Sequence, residues 1–281
     1  MKDISILIPL HKFDDAIFEL LKKSLKSVAS AQGVFDGKLT AYIIYPEAKG
    51  GEVTKAIKEK LKGEKGLNKF VKFIHNTTGK TDFCSQINLG VESVDTEYFS
   101  ILEFDDEYLP NWFKNAQEYY FGNDDISVYL PINLIEYGDD GWEYGNTMAL
   151  SPTFVTSNEN DNDDIGIINE FRIKNCSLFN LTGAIFNTKN FKEIGKLKPS
   201  IKVAFNYEFL LRMTNNGFKG MVIPKLGYIH NVGRSGSLTE EYLNNTTREE
   251  REKWFTLASI ESQYKEDRNK DIEELSDSQL K

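Results

Sequence analysis

Four short apolar runs alternate with segments of helical spacing through the first part of the chain, and this alternation constrains the fold more than any other feature. The runs are Ile4 to Ile8, closed by Pro9, then Ala41 to Tyr45, Phe70 to Ile74 and Tyr98 to Leu102. The first is nearly continuous, as expected for a strand covered on both faces. Between them, apolar residues recur every three or four positions: Ile17, Leu20, Leu21, Leu25 and Val28; Val53, Ile57 and Leu61; Phe83, Ile87, Val91 and Val94. Strand and helix in this order predict an α/β fold, a mainly parallel sheet flanked by helices. In such sheets ligands bind beyond the carboxyl ends of the strands.

The residues that follow the fourth run are Glu103-Phe104-Asp105-Asp106-Glu107. Four carboxylates in five positions repel one another. A hard divalent cation with a preference for oxygen relieves that repulsion. It can also bridge the phosphates of a nucleoside diphosphate and offset charge on a leaving group. The plain alternative is an acidic turn between Leu102 and a helix beginning near Pro110. The net charge of −9 disfavours general nucleic-acid binding. It also means that an anionic nucleotide needs a cation between itself and the protein.

The second half is less regular. Residues 126–155 read as strands and turns, and Asn158 to Asp164 as a mobile acidic loop. Ala184 to Phe186 reads as a short strand, Phe205 to Met213 as helix, and Gly220 to Ile223 as strand. Lys225 to Asn231 reads as a further strand or an ordered loop. A last helix is expected from Thr247, with Glu250 completing a capping box. It places Trp254, Leu257, Ala258 and Tyr264 on one face, a surface that a second copy of the chain can cover. The expected organisation is one catalytic-type domain over residues 1–237, then a helical extension and charged tail over 238–281. No apolar run reaches the length of a membrane span. Cys84 and Cys176 lie in no metal or disulfide spacing and read as reduced, which suits the cytoplasm.

Several further residues can carry chemistry. His230 follows an apolar stretch and precedes Gly233-Arg234-Ser235-Gly236-Ser237, a loop that can fold over a diphosphate with Arg234 and backbone amides as donors. The alternative is a linker. Glu208 and Arg212 are an i,i+4 pair, so a helix ion pair stands beside a role for Glu208 as general base. Pro9-Leu10-His11 ends the first strand, where a nucleotide base can sit. Glu47 follows the second strand and can reach a base or ribose.

Taken together, these segments resemble the GT-A fold glycosyltransferases (Rossmann-like, mainly parallel sheet), family 2 in particular, over most of residues 3–237. Ser5-Ile6-Leu7-Ile8-Pro9-Leu10 is similar to the family's first strand. Ser85-Gln86-Ile87-Asn88-Leu89-Gly90 is similar to its Ala-Arg-Asn-x-Gly helix, with Ile87 in place of Arg. Tyr98 to Pro110 is similar to its strand ending in Leu-Asp-x-Asp-Asp, with Glu103 in the first Asp position and Asp105 in the second. Leu181-Thr182-Gly183-Ala184 resembles its acceptor-side segment, and Tyr228 to Ser237 its C-terminal His and Gly-Ser loop. Phe83 to Tyr108 also resembles glycosyltransferases encoded by tailed phages.

The resemblance implies transfer of a sugar from a UDP-sugar donor, with Mn²⁺ or Mg²⁺ held by Asp105 and His230. Donor contacts would come from Pro9, Leu10, His11, Glu47, Asn88, Glu103, Arg234 and Ser237, with catalytic support from Asp106 and Glu208. The acceptor stays open among glycan, lipid, protein and modified base. Asn206 stands at the family's usual base position, which leaves an inverting or retaining outcome open. It also keeps a catalytically inactive nucleotide-sugar binder in play. A sugar nucleotidyltransferase is the other alternative, although Pro9-Leu10-His11-Lys12 lacks the glycine cluster expected after its first strand.

Overall fold

The computed structural model describes residues 2–120, 125–151, 164–174, 178–201, 203–232, 242 and 244–260. Arg234, Ser237, Cys176, Tyr264, residues 158–163 of the acidic loop and the charged tail lie outside them. Four strands come from the four apolar runs: β1 (Ile4–Pro9), β2 (Leu39–Tyr45), β3 (Val71–His75) and β4 (Tyr98–Ile101). Between them run α1 (Asp15–Gln32), α2 (Glu52–Lys62) and α3 (Phe83–Glu92). These four strands pair in parallel in the order β3-β2-β1-β4. Asp14 caps α1 by accepting from the Ile17 amide at 2.8 Å, and Asp82 caps α3 by accepting from Ser85 at 2.9 Å.

Beyond β4 the sheet becomes mixed. It continues through β5 (Glu107–Tyr108), β6 (Ile126–Glu136), β7 (Trp142–Gly145), β8 (Ile167–Ile168), β9 (Ile185–Asn187) and β10 (Lys219–Asn231). Strand β9 is antiparallel to both β4 and β6, while β10 is parallel to β6. The two runs expected at 220–223 and 225–231 are one strand. Its register shifts between Val222 and Leu226, around Pro224, which has no amide to give a ladder. Helices α4 (Trp112–Tyr120), α5 (Glu170–Ile173), α6 (Thr188–Ile194) and α7 (Phe205–Asn215) complete the layers.

The strands divide two cores between the faces of the sheet. Ile4, Ile6 and Ile8 pack with α1, α2 and α4, whereas Leu7 packs with α3, α6 and α7. Each such fully buried aliphatic side chain contributes about 1.5–3 kcal/mol. Gly90 lets α3 close on the sheet, because a Cβ there would lie 2.7 Å from Ile44 Cδ1. At 248–260 a helix begins with the expected capping box: Thr247 N donates to Glu250 Oε2 at 2.8 Å and Glu250 N to Thr247 Oγ1 at 3.2 Å. Its inward face is Phe255 and Ala258, with Phe255 against Tyr207 of α7. Leu257, expected on that face, is instead 50% exposed. No described helix is long and apolar enough to cross a membrane.

Candidate metal and nucleotide centre

The acidic segment leaves β4 at its carboxyl end and turns back through β5, which pairs antiparallel with β10. That pairing sets Tyr108 opposite Tyr228 and Glu107 opposite Ile229, so the loop 103–106 lies against the last residues of β10. Ser24 of α1 fastens it from below: its hydroxyl stands 2.8 Å from the Phe104 carbonyl and 2.6 Å from that of Asp106. The buried Tyr228 hydroxyl accepts from the Glu103 amide at 3.1 Å. Asn231 donates its amide to Asp106 Oδ1 at 2.8 Å and its side chain to the Asp105 carbonyl at 2.7 Å. The acidic turn is thereby a held structure, unlike a solvated surface turn.

Asp106 and His230 meet at the centre, with Asp106 Oδ2 2.8 Å from His230 Nδ1. Burial alone would pull the imidazole down. The hydrogen bond and charge of Asp106, with Glu103 and Asp105 nearby, outweigh it and hold His230 up at about 9. Burial pushes the Asp106 carboxyl upward against the pull of His230. The geometry favours the charge-separated pair, because Asn231 and His230 both donate to the carboxylate. A cation held by both residues takes the place of the proton between Nδ1 and the carboxylate. Glu103, Asp106 and His230 each bring a ligand atom within 4.8 Å of the others. Two carboxylates and an imidazole make a mixed oxygen and nitrogen donor set of the kind that divalent cations take.

This group differs from the expected pair of ligands. His230 belongs to it. Asp105 does not; the fold uses its carbonyl to anchor Asn231. Asp106 and Glu103, expected as supporting and donor-contact residues, stand in the cluster.

Other expected contacts are engaged elsewhere. Glu47 caps α2: Val53 N donates to its Oε2 at 3.1 Å, Thr54 N to its Oε1 at 2.6 Å, and the Thr54 hydroxyl bonds it too. This replaces the missing side-chain cap at Gly51. Asn88 bridges to one backbone unit across the core, donating to Leu197 O at 2.8 Å and accepting from Leu197 N at 3.0 Å. Leu10 is fully buried and Pro9 is packed inside the sheet. His11, half-buried, rests its ring 5.6 Å from that of Phe104, so the end of β1 does adjoin the acidic loop.

Glu208 is held as the ion pair with Arg212. Arg212 Nε and Nη2 donate to its two oxygens at 2.8 and 2.9 Å, and Lys198 adds a bridge at 3.0 Å. Burial raises this carboxyl, but Arg212 and Lys198 bring it below the usual range. A lowered carboxylate is a weaker proton acceptor, which counts against the base role. Two residues earlier, the Asn206 Oδ1 is buried without a hydrogen-bond partner.

Ser24, Tyr228 and Asn231 were not singled out from sequence. Ser24 left a signal, as a small polar residue on the apolar stripe of α1 beside Leu21, Leu25 and Val28. Gly183 is a further contributor: its φ is +77° and a Cβ would lie 2.5 Å from the Tyr228 ring. Its carbonyl accepts from Trp112 Nε1 at 2.9 Å.

The family model described as Glycosyl transferase family 2 matches residues 5–192. No curated protein matches the chain. Among solved structures, S. aureus TarS 1-349 in complex with UDP-GlcNAc aligns with a TM-score of 0.62 at 16% identity, over 93% of this chain and 66% of that one. The UDP complex of the same protein aligns at 0.56 and 16%, over 83% and 61%. The mannosyltransferase PcManGT from Pyrobaculum calidifontis, in complex with GDP-Man and Mn²⁺, aligns at 0.58 and 11%, over 84% and 58%. The chain therefore spans about two thirds or less of the length of these proteins, and the likeness is one of fold.

Proposed function

Because the chain belongs to glycosyl transferase family 2, we propose that it transfers a sugar from a UDP-sugar to an acceptor, with a divalent cation, Mn²⁺ or Mg²⁺, held by Glu103, Asp106 and His230. The observation that carries this reading is the convergence of those three ligand atoms at the carboxyl end of β4. When bound, the cation supplies charge neutralisation to the departing nucleoside diphosphate. Asp106 keeps His230 oriented, and Tyr228 and Asn231 hold the loop at both ends. Asp105, half-buried, is proposed to contact the donor. Arg234 and Ser237 are proposed as diphosphate donors on their motif. TarS, bound to UDP-GlcNAc and UDP, supports the choice of UDP. PcManGT, bound to Mn²⁺, supports the choice of metal.

A cytoplasmic setting suits Cys84, a buried free thiol pushed up by burial to about 12 and therefore inert. The family match removes the footing of the nucleotidyltransferase alternative. One observation favours a second reading, a nucleotide-sugar binder without activity: Asn206 cannot take a proton usefully and Glu208 is engaged by Arg212. Hydrolysis of UDP-glucose, UDP-galactose and UDP-GlcNAc with Mn²⁺ separates the two. Release of UDP from at least one donor above the rate without enzyme supports the transferase. UDP binding with no release from any donor supports the binder.

A further inference from the structure

Helix α1 carries two serines inside its apolar stripe, Ser24 and Ser27, and both are buried. Serine is a poor helix former, and in mid-helix its hydroxyl commonly bonds a carbonyl of the preceding turn. Ser27 does so, donating to Ser24 O at 2.7 Å, and also accepts from the Tyr108 amide at 3.0 Å. Ser24 does not. Its hydroxyl stands 2.8 Å from the Phe104 carbonyl and 2.6 Å from that of Asp106, 80 and 82 positions on. The two serines thus grip the segment 104–108 at both ends.

What they grip is a reverse turn. Asp106 N donates to Glu103 O at 3.1 Å, the bond that closes a β-turn over Glu103-Phe104-Asp105-Asp106. Such a turn brings its first and last residues within about 7 Å at Cα and leaves the central two at the corner. Glu103 and Asp106 are the first and last, and theirs are the carboxylates whose oxygens lie within 4.8 Å of each other and of a His230 nitrogen. Asp105 is at the corner. The two acidic ligands therefore converge only while the turn stays closed. Like charges within 103–107 oppose that closure. Lys23 of α1 meets Glu107 at 2.6 Å and relieves part of it. Phe104, at the other corner, is buried.

From this we infer that Ser24 is a positioning residue of the metal centre: its hydroxyl holds the 103–106 turn in the form that sets Glu103 and Asp106 on one cation. It acts through the backbone of the turn, at the Phe104 and Asp106 carbonyls. The inference rests on the metal-dependent reading and adds to it the residue that shapes the ligand set. Without the hydroxyl, two buried carbonyls are short of a donor. The turn relieves this by rotating them toward water, which parts its ends. Groups that support metal ligands in this way govern about ten- to a hundredfold of metal affinity.

The test is calorimetric titration of the full chain with Mn²⁺ alone, and separately with UDP in EDTA. Circular dichroism checks folding at 20 °C, and the urea midpoint reports stability. The variants are Ser24→Ala, Ser24→Cys, which keeps the volume and weakens the donor, and Ser5→Ala as control. Ser5 is a buried serine of β1 whose hydroxyl accepts from Thr96 at 2.7 Å. Ser24→Ala should weaken Mn²⁺ binding tenfold or more and Ser24→Cys by a smaller factor, with UDP affinity in EDTA within twofold of wild type. Ser5→Ala should lower the urea midpoint and leave Mn²⁺ affinity within twofold. Mn²⁺ affinity within twofold of wild type in folded Ser24→Ala, whatever its urea midpoint, overturns the inference, and so does an equal loss in Ser5→Ala. Should Ser24→Ala not fold, Ser24→Cys decides: a threefold or greater loss supports the inference and an unchanged affinity overturns it. Absence of Mn²⁺ binding by wild type instead defeats the metal reading beneath it.

Discussion

Replacing Glu208 by Gln should unfold the protein more easily and leave its chemistry nearly untouched. The Glu208 side chain is 4% exposed and that of Arg212 7%. The substitution removes the carboxylate that accepts from Arg212 Nε and Nη2 and bridges Lys198. Deleting one member of a buried pair costs about 3–5 kcal/mol, because the other charge is left uncompensated. Arg212 keeps hydrogen bonds to the carbonyls of Ile194 and Lys196, and Gln retains the shape, so the low end, about 3 kcal/mol, is expected. Urea unfolding followed by circular dichroism would show this as a lower midpoint with unchanged slope. The effect depends on pH with a definite sign. Glu208 is held below its ordinary value in the folded state, so the pair's stability is complete at neutral pH and is lost as pH falls through that lowered value. The gap between wild type and variant should therefore hold down to the ordinary glutamate value, about 4.3, and narrow as pH falls further. Donor hydrolysis by folded variant at 20 °C should stay within about threefold of wild type. Unchanged stability with a hundredfold loss of rate would refute the reasoning and return Glu208 to the role of base.

Glu47→Ala should cost about 1 kcal/mol as a lost helix cap and leave UDP affinity within twofold; a tenfold weaker UDP affinity at full stability would make Glu47 a nucleotide ligand. Gly183→Ala must move the Tyr228 ring and place Ala at positive φ, at a cost of about 2–5 kcal/mol. It should also weaken Mn²⁺ binding in the folded protein, because Tyr228 holds the Glu103 amide. Mn²⁺ affinity should climb about tenfold per pH unit from 7 toward 9, since the cation displaces one proton from a histidine held up at about 9. A flat profile over that range, measured by titration calorimetry, would remove His230 from the ligand set.

The parallel half of the sheet was legible because β1, β2 and β4 are covered on both faces and therefore read as continuous apolar runs. Strands β5 and β8 were not legible, since two residues carry no usable period. The antiparallel pairing of β9 depends on a return path that local pattern does not encode. At the site, the acidic cluster and His230 were visible as residue types in suggestive places. Their partners were not: Glu47 and Asn88 look like ligand residues until α2 and Leu197 claim their polar atoms, the latter from 109 positions away. Asp105 and Asp106 are neighbours in sequence, and only the hydrogen bonds from Asn231 and His230 distinguish the carboxylate that faces the cluster.

Calorimetric titration of UDP at pH 8, with Mn²⁺ or with EDTA, tests the central claim most directly when run on wild type, Glu103→Gln and His230→Ala. Mn²⁺ should tighten UDP binding at least tenfold in wild type, and each variant should lose most of that gain while remaining folded. Equal UDP affinity with and without Mn²⁺ in wild type, or an undiminished gain in both variants, would contradict it.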